Sequence, residues 1–326
     1  MVASPESSND LPPSKFEARS FASKFGGSGI VIAFLILFVL LAAFVPNFFT
    51  VRNVQGLLLS VSLIGCIAAT MMFVLALGEV DLSVASIVAF AGVVAATVTT
   101  AAQSVVLGVG AGVLAGALVG LFNGAVVAAF RINSLIATLA TMEIVRGLAY
   151  ITSSGDAVIV GEAGFFEIGA SAFLGISAPI WINIAVFAVF GWLLNYSVFG
   201  RNVLAIGGNA EAARLAGLPV ARIRITVFLL QGAVAGLAGV LLASRMSLGD
   251  PKTSIGLELG VISACVLGGV SLTGGIATIS GVIVGVLIMG CVQNAMSLLN
   301  VPTFYQYLVR GAILLLAVLF DRWRRR

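Results

Sequence analysis

Apolar residues fall into ten long runs, about 29–45, 57–77, 82–100, 104–130, 134–152, 180–195, 224–243, 257–272, 276–299 and 304–321. Short polar or glycine-rich stretches part them. A hydrocarbon core of about 30 Å needs about 20 apolar residues per helix, so each run is long enough to cross or nearly cross it. The runs are unbroken, whereas membrane β-barrels show alternating segments of about ten residues. The pattern predicts an all-α polytopic membrane protein of about ten transmembrane helices in one permease domain over 29–321. The polar, Ser/Pro-rich segment 1–28 reads as a disordered cytoplasmic tail, and 322–326 as a basic cytoplasmic tail.

Positive residues orient the runs. With both termini inside, the cytoplasmic side holds Lys15, Arg19, Lys24, Arg131, Arg201, Arg214, Arg222, Arg224, Arg322, Arg324, Arg325 and Arg326. The outside holds only Arg52, Arg245 and Lys252. Segment 153–179 carries Asp156, Glu162 and Glu167 but no Lys or Arg. This asymmetry follows the positive-inside rule and favours an even number of spans with both ends cytoplasmic.

Composition narrows the function. The chain is 60% hydrophobic and 9% charged, with a mean hydropathy of +1.17. That cannot clothe a water-facing surface, which uses roughly 25% charged residues. The net charge of +4 sits at the ends and in one loop, as topology signals do, so no nucleic-acid partner is expected. Histidine is absent, which removes imidazole catalysis and the commonest zinc ligand. Cys66, Cys265 and Cys291 have no metal or redox spacing and read as small packing residues. Only Lys252 precedes a Ser or Thr, and Pro251 precedes it, so no phosphate-binding loop exists. The chain binds no cofactor of its own, and energy must come from a partner or an ion gradient.

An internal repeat marks the path. Leu77-Gly78-Glu79-Val80-Asp81-Leu82-Ser83 matches Leu267-Gly268-Gly269-Val270-Ser271-Leu272-Thr273 at a shift of 190 residues. Paired glycine-rich breaks point to a transport path, because irregular backbone at membrane depth survives only in protein or beside a cavity. Glu79 and Asp81 are candidates for a gate or hinge, or else for a solvated cytoplasmic turn. Ser83, Ser271 and Thr273 could cap the helices that follow. A weaker echo relates Val145-Arg146-Gly147 to Val309-Arg310-Gly311. Glu143 and Arg146, three apart, share a helix face and are expected to pair. Arg310 needs a partner from elsewhere. Asn123, Asn133, Gln293 and Asn294 offer uncharged hydrogen-bonding groups to a solute or to neighbouring helices.

The segment 196–223, YSVFGRNVLAIGGNAEAARLAGLPVARI, is too patterned for a linker. Asn209 can cap a short helix over 210–216 that Gly217 and Pro219 end, with Glu211 in its first turn. Such a helix could dock into another protein or lie on the membrane surface.

GRN-x-x-AIGGN-x-EAARLAG resembles the EAA-type coupling loop of ABC-transporter permeases of the ribose/arabinose/xylose family. LGEVDLSVAS and LGGVSLTGG resemble that family's two glycine-rich motifs. Stretches 132–151, 244–259 and 261–276 look most like its arabinose-carrying members. The resemblance implies a homodimer in a bacterial inner membrane with a central path for a monosaccharide. It implies a separate ATP-binding subunit that uses ATP and Mg, and a periplasmic sugar-binding protein. The subunit would dock on Gly200, Arg201, Gly207, Gly208, Asn209, Glu211, Ala212, Ala213, Arg214 and Gly217. The rival reading is an ion-coupled transporter that titrates Glu79, Asp81 or Glu143.

Overall fold

A computed structural model describes residues 15–324, with side chains described from 29 to 319. Residues 1–14 of the polar tail and 325–326 of the basic tail lie outside the described residues. The chain is nearly all helical: α1 (Lys15–Phe44), α2 (Val51–Ala76), α3 (Val84–Ala102), α4 (Val105–Phe130) and α5 (Ser134–Thr152) come first. A compact connection follows, with β1 (Val158–Ile159), α6 (Ala163–Ala170), β2 (Ala172–Phe173) and β3 (Ile176–Ser177). Then come α7 (Ala178–Tyr196), α8 (Val198–Gly208), α9 (Ala210–Leu215), α10 (Val220–Met246), β4 (Leu248–Gly249), α11 (Leu257–Leu267), α12 (Ile279–Leu298) and α13 (Thr303–Arg324).

Seven of these, α2, α3, α4, α5, α7, α10 and α12, are long and apolar enough to cross a membrane. Shorter apolar helices occupy Gly29–Phe44, Leu257–Leu267 and Thr303–Leu319. Polar side chains set the helix starts: Thr50 caps α2, Ser104 caps α4 and Asn133 caps α5 by accepting from the Leu135 amide.

The core lies around α2 and α3, whose facing residues are almost wholly buried. Against them packs the pair α4 and α10. Gly108, Gly112, Gly116, Gly120 and Gly124 recur every fourth residue on the buried face of α4. A methyl on Gly116 would meet the Gly232 carbonyl and the Gly236 backbone, and one on Gly232 would meet Gly116 and Gly120. The helices therefore touch backbone to backbone, as small residues allow in a bilayer.

The segment read as an external loop is a folded cap. β1 pairs antiparallel with β4, and β2 with β3 through a turn at Leu174 (φ 53°) and Gly175 (φ 75°). Phe165 of α6 is fully buried, and its carbonyl accepts from Ser244 Oγ of α10 at 2.7 Å. The cysteines fulfil the packing expectation: all three are free and buried.

Candidate translocation path and coupling junction

The two sequence repeats end helices in the same way. After α2, Gly78 adopts φ 78° while its amide donates to the Leu75 carbonyl and the Glu79 amide to Val74. After α11, Gly269 adopts φ 82° while its amide donates to Val266 and the Val270 amide to Cys265. Both are Schellman terminations, in which a left-handed residue, usually glycine, satisfies the last carbonyls. The glycine that turns the second chain is Gly269; Gly268 remains at the helix end with φ −64°. The polar turns beyond keep the 190-residue register. Asp81 Oδ1 accepts from the Ser83 amide (2.9 Å) and hydroxyl (2.6 Å), and Ser271 Oγ accepts from the Thr273 amide (3.2 Å). One residue is thus inserted in the first break between the turning glycine and the polar turn.

These hydroxyls do not cap helices, which corrects the sequence expectation. Ser83 precedes α3 in a helical conformation without a side-chain capping bond, its hydroxyl being committed to Asp81. Thr278, not Ser271 or Thr273, sits at the start of α12.

The first break is held from three sides. Asn123 of α4 donates to Ser83 Oγ at 2.8 Å. Ser134 and Thr138 of α5 accept from the Val80 and Leu82 amides at 3.0 and 3.1 Å. Glu79 meets Arg224 of α10 at 3.1 Å, a charge contact in which Nε–H is not aligned as a hydrogen bond. Asp81 is fully buried, which excludes the solvated-turn alternative for its side chain. Ser134, Thr138 and the Glu79–Arg224 contact were not anticipated. The hydroxyls at 134 and 138 form an i, i+4 pair, the one signal that could have placed them on a common face.

The two breaks also touch each other and α8. The Gly275 amide donates to the Ala76 carbonyl at 2.8 Å. Gly207 of α8 lies against both: a methyl there would collide with the Ala76 carbonyl and approach the Gly275 nitrogen to 2.6 Å. Gly274 in turn lies against the Gly207 carbonyl and the Gly78 nitrogen. The segment 197–217 is therefore continuous with the breaks.

Its local structure follows from caps. Ser197 Oγ accepts from Gly200 at 3.0 Å to start α8. Asn209 Oδ1 accepts from Glu211 (3.1 Å) and Ala212 (2.9 Å) to start α9, as anticipated. Gly217, at φ 85°, turns the chain out. Ala213 anchors α9 inward, while Arg201, Gly208, Glu211, Ala212, Arg214 and Gly217 are exposed. Arg214 grips Glu211 with two bonds, at 2.6 and 3.2 Å, and so holds the Glu211 carboxyl below the usual carboxylate range.

Two cavities flank this framework. A cavity of about 580 Å³ lies beside α9, lined by Glu79, Arg131, Asn133, Glu211, Arg214 and Arg224. A second, of about 540 Å³, lies toward the cap and includes Ser60, Arg245, Thr253, Ser254, Gln293 and Asn294 in its wall. Asn294 is committed, exchanging two 2.9 Å bonds with Asn53. A smaller space beside it, of about 190 Å³, shares Gln293 and reaches Arg310.

The expected Glu143–Arg146 pair does not form. Arg146 donates instead to the Pro251 and Thr253 carbonyls at 2.6 and 2.9 Å, because a turn that ends without regular structure offers it bare acceptors. Arg310 finds its partner elsewhere, as anticipated, in the Gly256 carbonyl at 3.1 Å, and stacks over Tyr307 at 5.7 Å. Glu143 makes no hydrogen bond or ion pair among the described residues.

Multiple long apolar helices, paired glycine-rich breaks and a helical loop joined to them define a membrane transport subunit. Residues 53–318 match the family described as "Branched-chain amino acid transport system / permease component", and the chain belongs to that family. It is a multi-pass membrane protein and a permease component, not an enzyme. It is 74% identical over 298 residues to the L-arabinose ABC transporter permease protein AraH of Azospirillum brasilense, covering 91% of this chain and 88% of that one. It is 55% identical over 320 residues to the L-arabinose transport system permease protein AraH of Escherichia coli K12, covering 98% and 97%. The ribose import permease protein RbsC of the same strain is 37% identical over 297 residues, covering 89% and 92%. No solved structure matches the chain.

Proposed function

We propose that this chain is the membrane-spanning subunit of an ATP-driven importer that carries L-arabinose across the bacterial inner membrane. The observation that carries the reading is the packing of Gly207 against both glycine-rich breaks. A push on α8 and α9 from outside the bilayer reaches the end of α2 and the Gly274–Gly275 tail of the second break through backbone contact. The arabinose cargo rests on relatives named for it, similar over nearly the whole chain.

The seven long helices and three shorter apolar ones match the ten runs, which supports ten spans. Both termini then lie on the α8–α9 side, where the basic residues gather. The partner ATP-binding subunit docks on α8 and α9 and supplies the chemistry of ATP and Mg. A periplasmic sugar-binding protein delivers the cargo on the opposite side, to the cavity that holds Gln293. Closure of the ATP-binding subunits tilts α8, shifts the breaks, and exchanges access between the two cavities. No bond of the sugar changes.

The test is uptake of labelled L-arabinose by proteoliposomes that hold this chain, its ATP-binding subunit and its binding protein, with ATP inside. Uptake that needs all three and survives an ionophore supports the reading. Uptake by this chain alone that the ionophore stops overturns it in favour of an ion-coupled transporter.

A further inference from the structure

Within the interiors of the seven long helices, only Glu143 and Arg146 are charged side chains. Arg146 turns inward and is satisfied by carbonyls. Glu143 does not. It is the tenth residue of the 19 in α5, about 13 Å from either helix end at 1.5 Å per residue. It is exposed, and among the described residues it makes no hydrogen bond and no ion pair. A carboxylate at mid-span is costly against lipid and almost always faces a bundle interior or water. This chain provides neither at that position, and Glu143 lines none of the cavities described above.

The residues in register with it are informative. Asn133, Ile136, Ala140, Glu143, Gly147 and Tyr150 follow one another at spacings of three and four, so they form one stripe along α5. Four are exposed and the last two are half-buried. Small residues stand about one turn either side of the carboxylate, and a methyl on Gly147 would meet nothing within 4 Å. The neighbouring face, with Ile144, Leu148 and Ile151, is apolar and exposed, as a lipid contact should be.

We propose that this stripe is one wall of a water-filled passage whose opposite wall is the same stripe of a second copy. The Glu143 carboxylates accept hydrogen bonds from the hydroxyl groups of the sugar passing between them. A two-fold contact is isologous and sets a surface opposite itself. Two carboxylates so placed repel at contact, which keeps the seam wet, and a solute rich in hydroxyl donors relieves that repulsion. Arg146, one turn on, ties the same helix to the 251–253 turn that walls the outer cavity, so the passage and the cavity move together. The inference rests on the importer reading above and names the route within it.

The experiment uses the complete transporter in proteoliposomes, with Glu143→Cys and Ala140→Cys as reporters and Ile144→Cys as the lipid-facing control. The three native cysteines are buried and set the background in the wild type. A water-soluble thiosulfonate should label positions 143 and 140 faster than 144, and L-arabinose should slow that labelling. A bifunctional thiosulfonate should join two copies through position 143. Glu143→Leu should lower ATP-dependent uptake at least tenfold with normal insertion, and Glu143→Gln should lower it less. Labelling no faster than at 144, labelling indifferent to the sugar, or absence of a covalent dimer would each overturn the proposal. Wild-type uptake in the same vesicles reports on the importer reading separately, since its ATP dependence involves no cysteine variant.

Discussion

The amide of Gly275 donates to the carbonyl of Ala76 at 2.8 Å, so the tail of the second glycine-rich break closes on the helix end that begins the first. Residues almost 200 positions apart are joined by main chain alone. Because Gly207 packs on the same carbonyl, a movement of α8 cannot leave either break undisturbed.

Gly207→Ala tests that coupling directly. Its methyl group would overlap the Ala76 carbonyl, and overpacking of this kind costs about 1–3 kcal/mol. The strain falls on the junction, so the variant should still insert while ATP-driven uptake drops about tenfold, an effect equivalent to about 1.4 kcal/mol. Gly110, on the exposed face of α4 and outside the junction, has open space at its Cβ, and Gly110→Ala should transport normally. Equal uptake by the two variants would remove the junction from the mechanism.

The Glu79–Arg224 contact joins the first break to the start of α10, with side chains 13% and 23% exposed. Its worth lies between the surface and buried limits, about 2 kcal/mol for removal of one partner. Glu79→Gln should lower the melting temperature in detergent and weaken closure on the α9 side. The exchanged pair, Glu79→Arg with Arg224→Glu, should recover most of the loss. A double variant as unstable as the sum of the singles would show that the two charges do not act together.

Much of this was legible in the sequence because one physical rule governs each part. Apolar length located the helices, and the recurrence of LGEVDLS as LGGVSLT located both breaks. The cap by Asn209 followed from an Asn before a small-residue helix. The cap domain over 153–177 was not legible, since two-residue strands and an eight-residue helix carry too little periodicity to register. Arg146 was misread for a different reason. Helical spacing offered Glu143 three residues away, but the bare carbonyls of Pro251 and Thr253 lie more than a hundred residues on, and only the fold brings them near. The Asn53–Asn294 exchange, 241 residues apart, was hidden in the same way. The echo between Val145-Arg146-Gly147 and Val309-Arg310-Gly311 has a structural counterpart: both arginines hold the 251–256 turn.

That shared turn makes the arginines a unit. Arg146→Gln removes two charge-assisted bonds to carbonyls, a loss of about 3 kcal/mol, and Arg310→Gln removes one, about half as much. Thermal unfolding should show the larger shift for Arg146→Gln. The double variant should fall short of additivity, because a turn freed by the first change has less left to lose. Strict additivity would mean that the two side chains stabilise separate parts of the fold.

The exposed end of α9 separates folding from docking. Asn209→Ala removes a cap worth about 1 kcal/mol and should fray the first turn of the six-residue α9. Glu211→Lys leaves the cap intact but breaks the bond to Arg214 and reverses a charge on the exposed face. Both variants should insert normally, and both should lose ATP-driven uptake and retention of the ATP-binding subunit on purification. pH adds an independent check. Arg214 holds the Glu211 carboxyl below its ordinary range, so the pair is fully present above the usual glutamate pKa and is lost only as pH falls through the lowered value. Retention of the subunit should therefore be unchanged between pH 7 and about pH 5, a range above the ordinary glutamate pKa of about 4.3. In Arg214→Gln the pair is absent at every pH, so retention should already be reduced at pH 7. Normal uptake by Glu211→Lys would leave α9 as a helix resting on the membrane surface, with the ATP-binding subunit docked elsewhere.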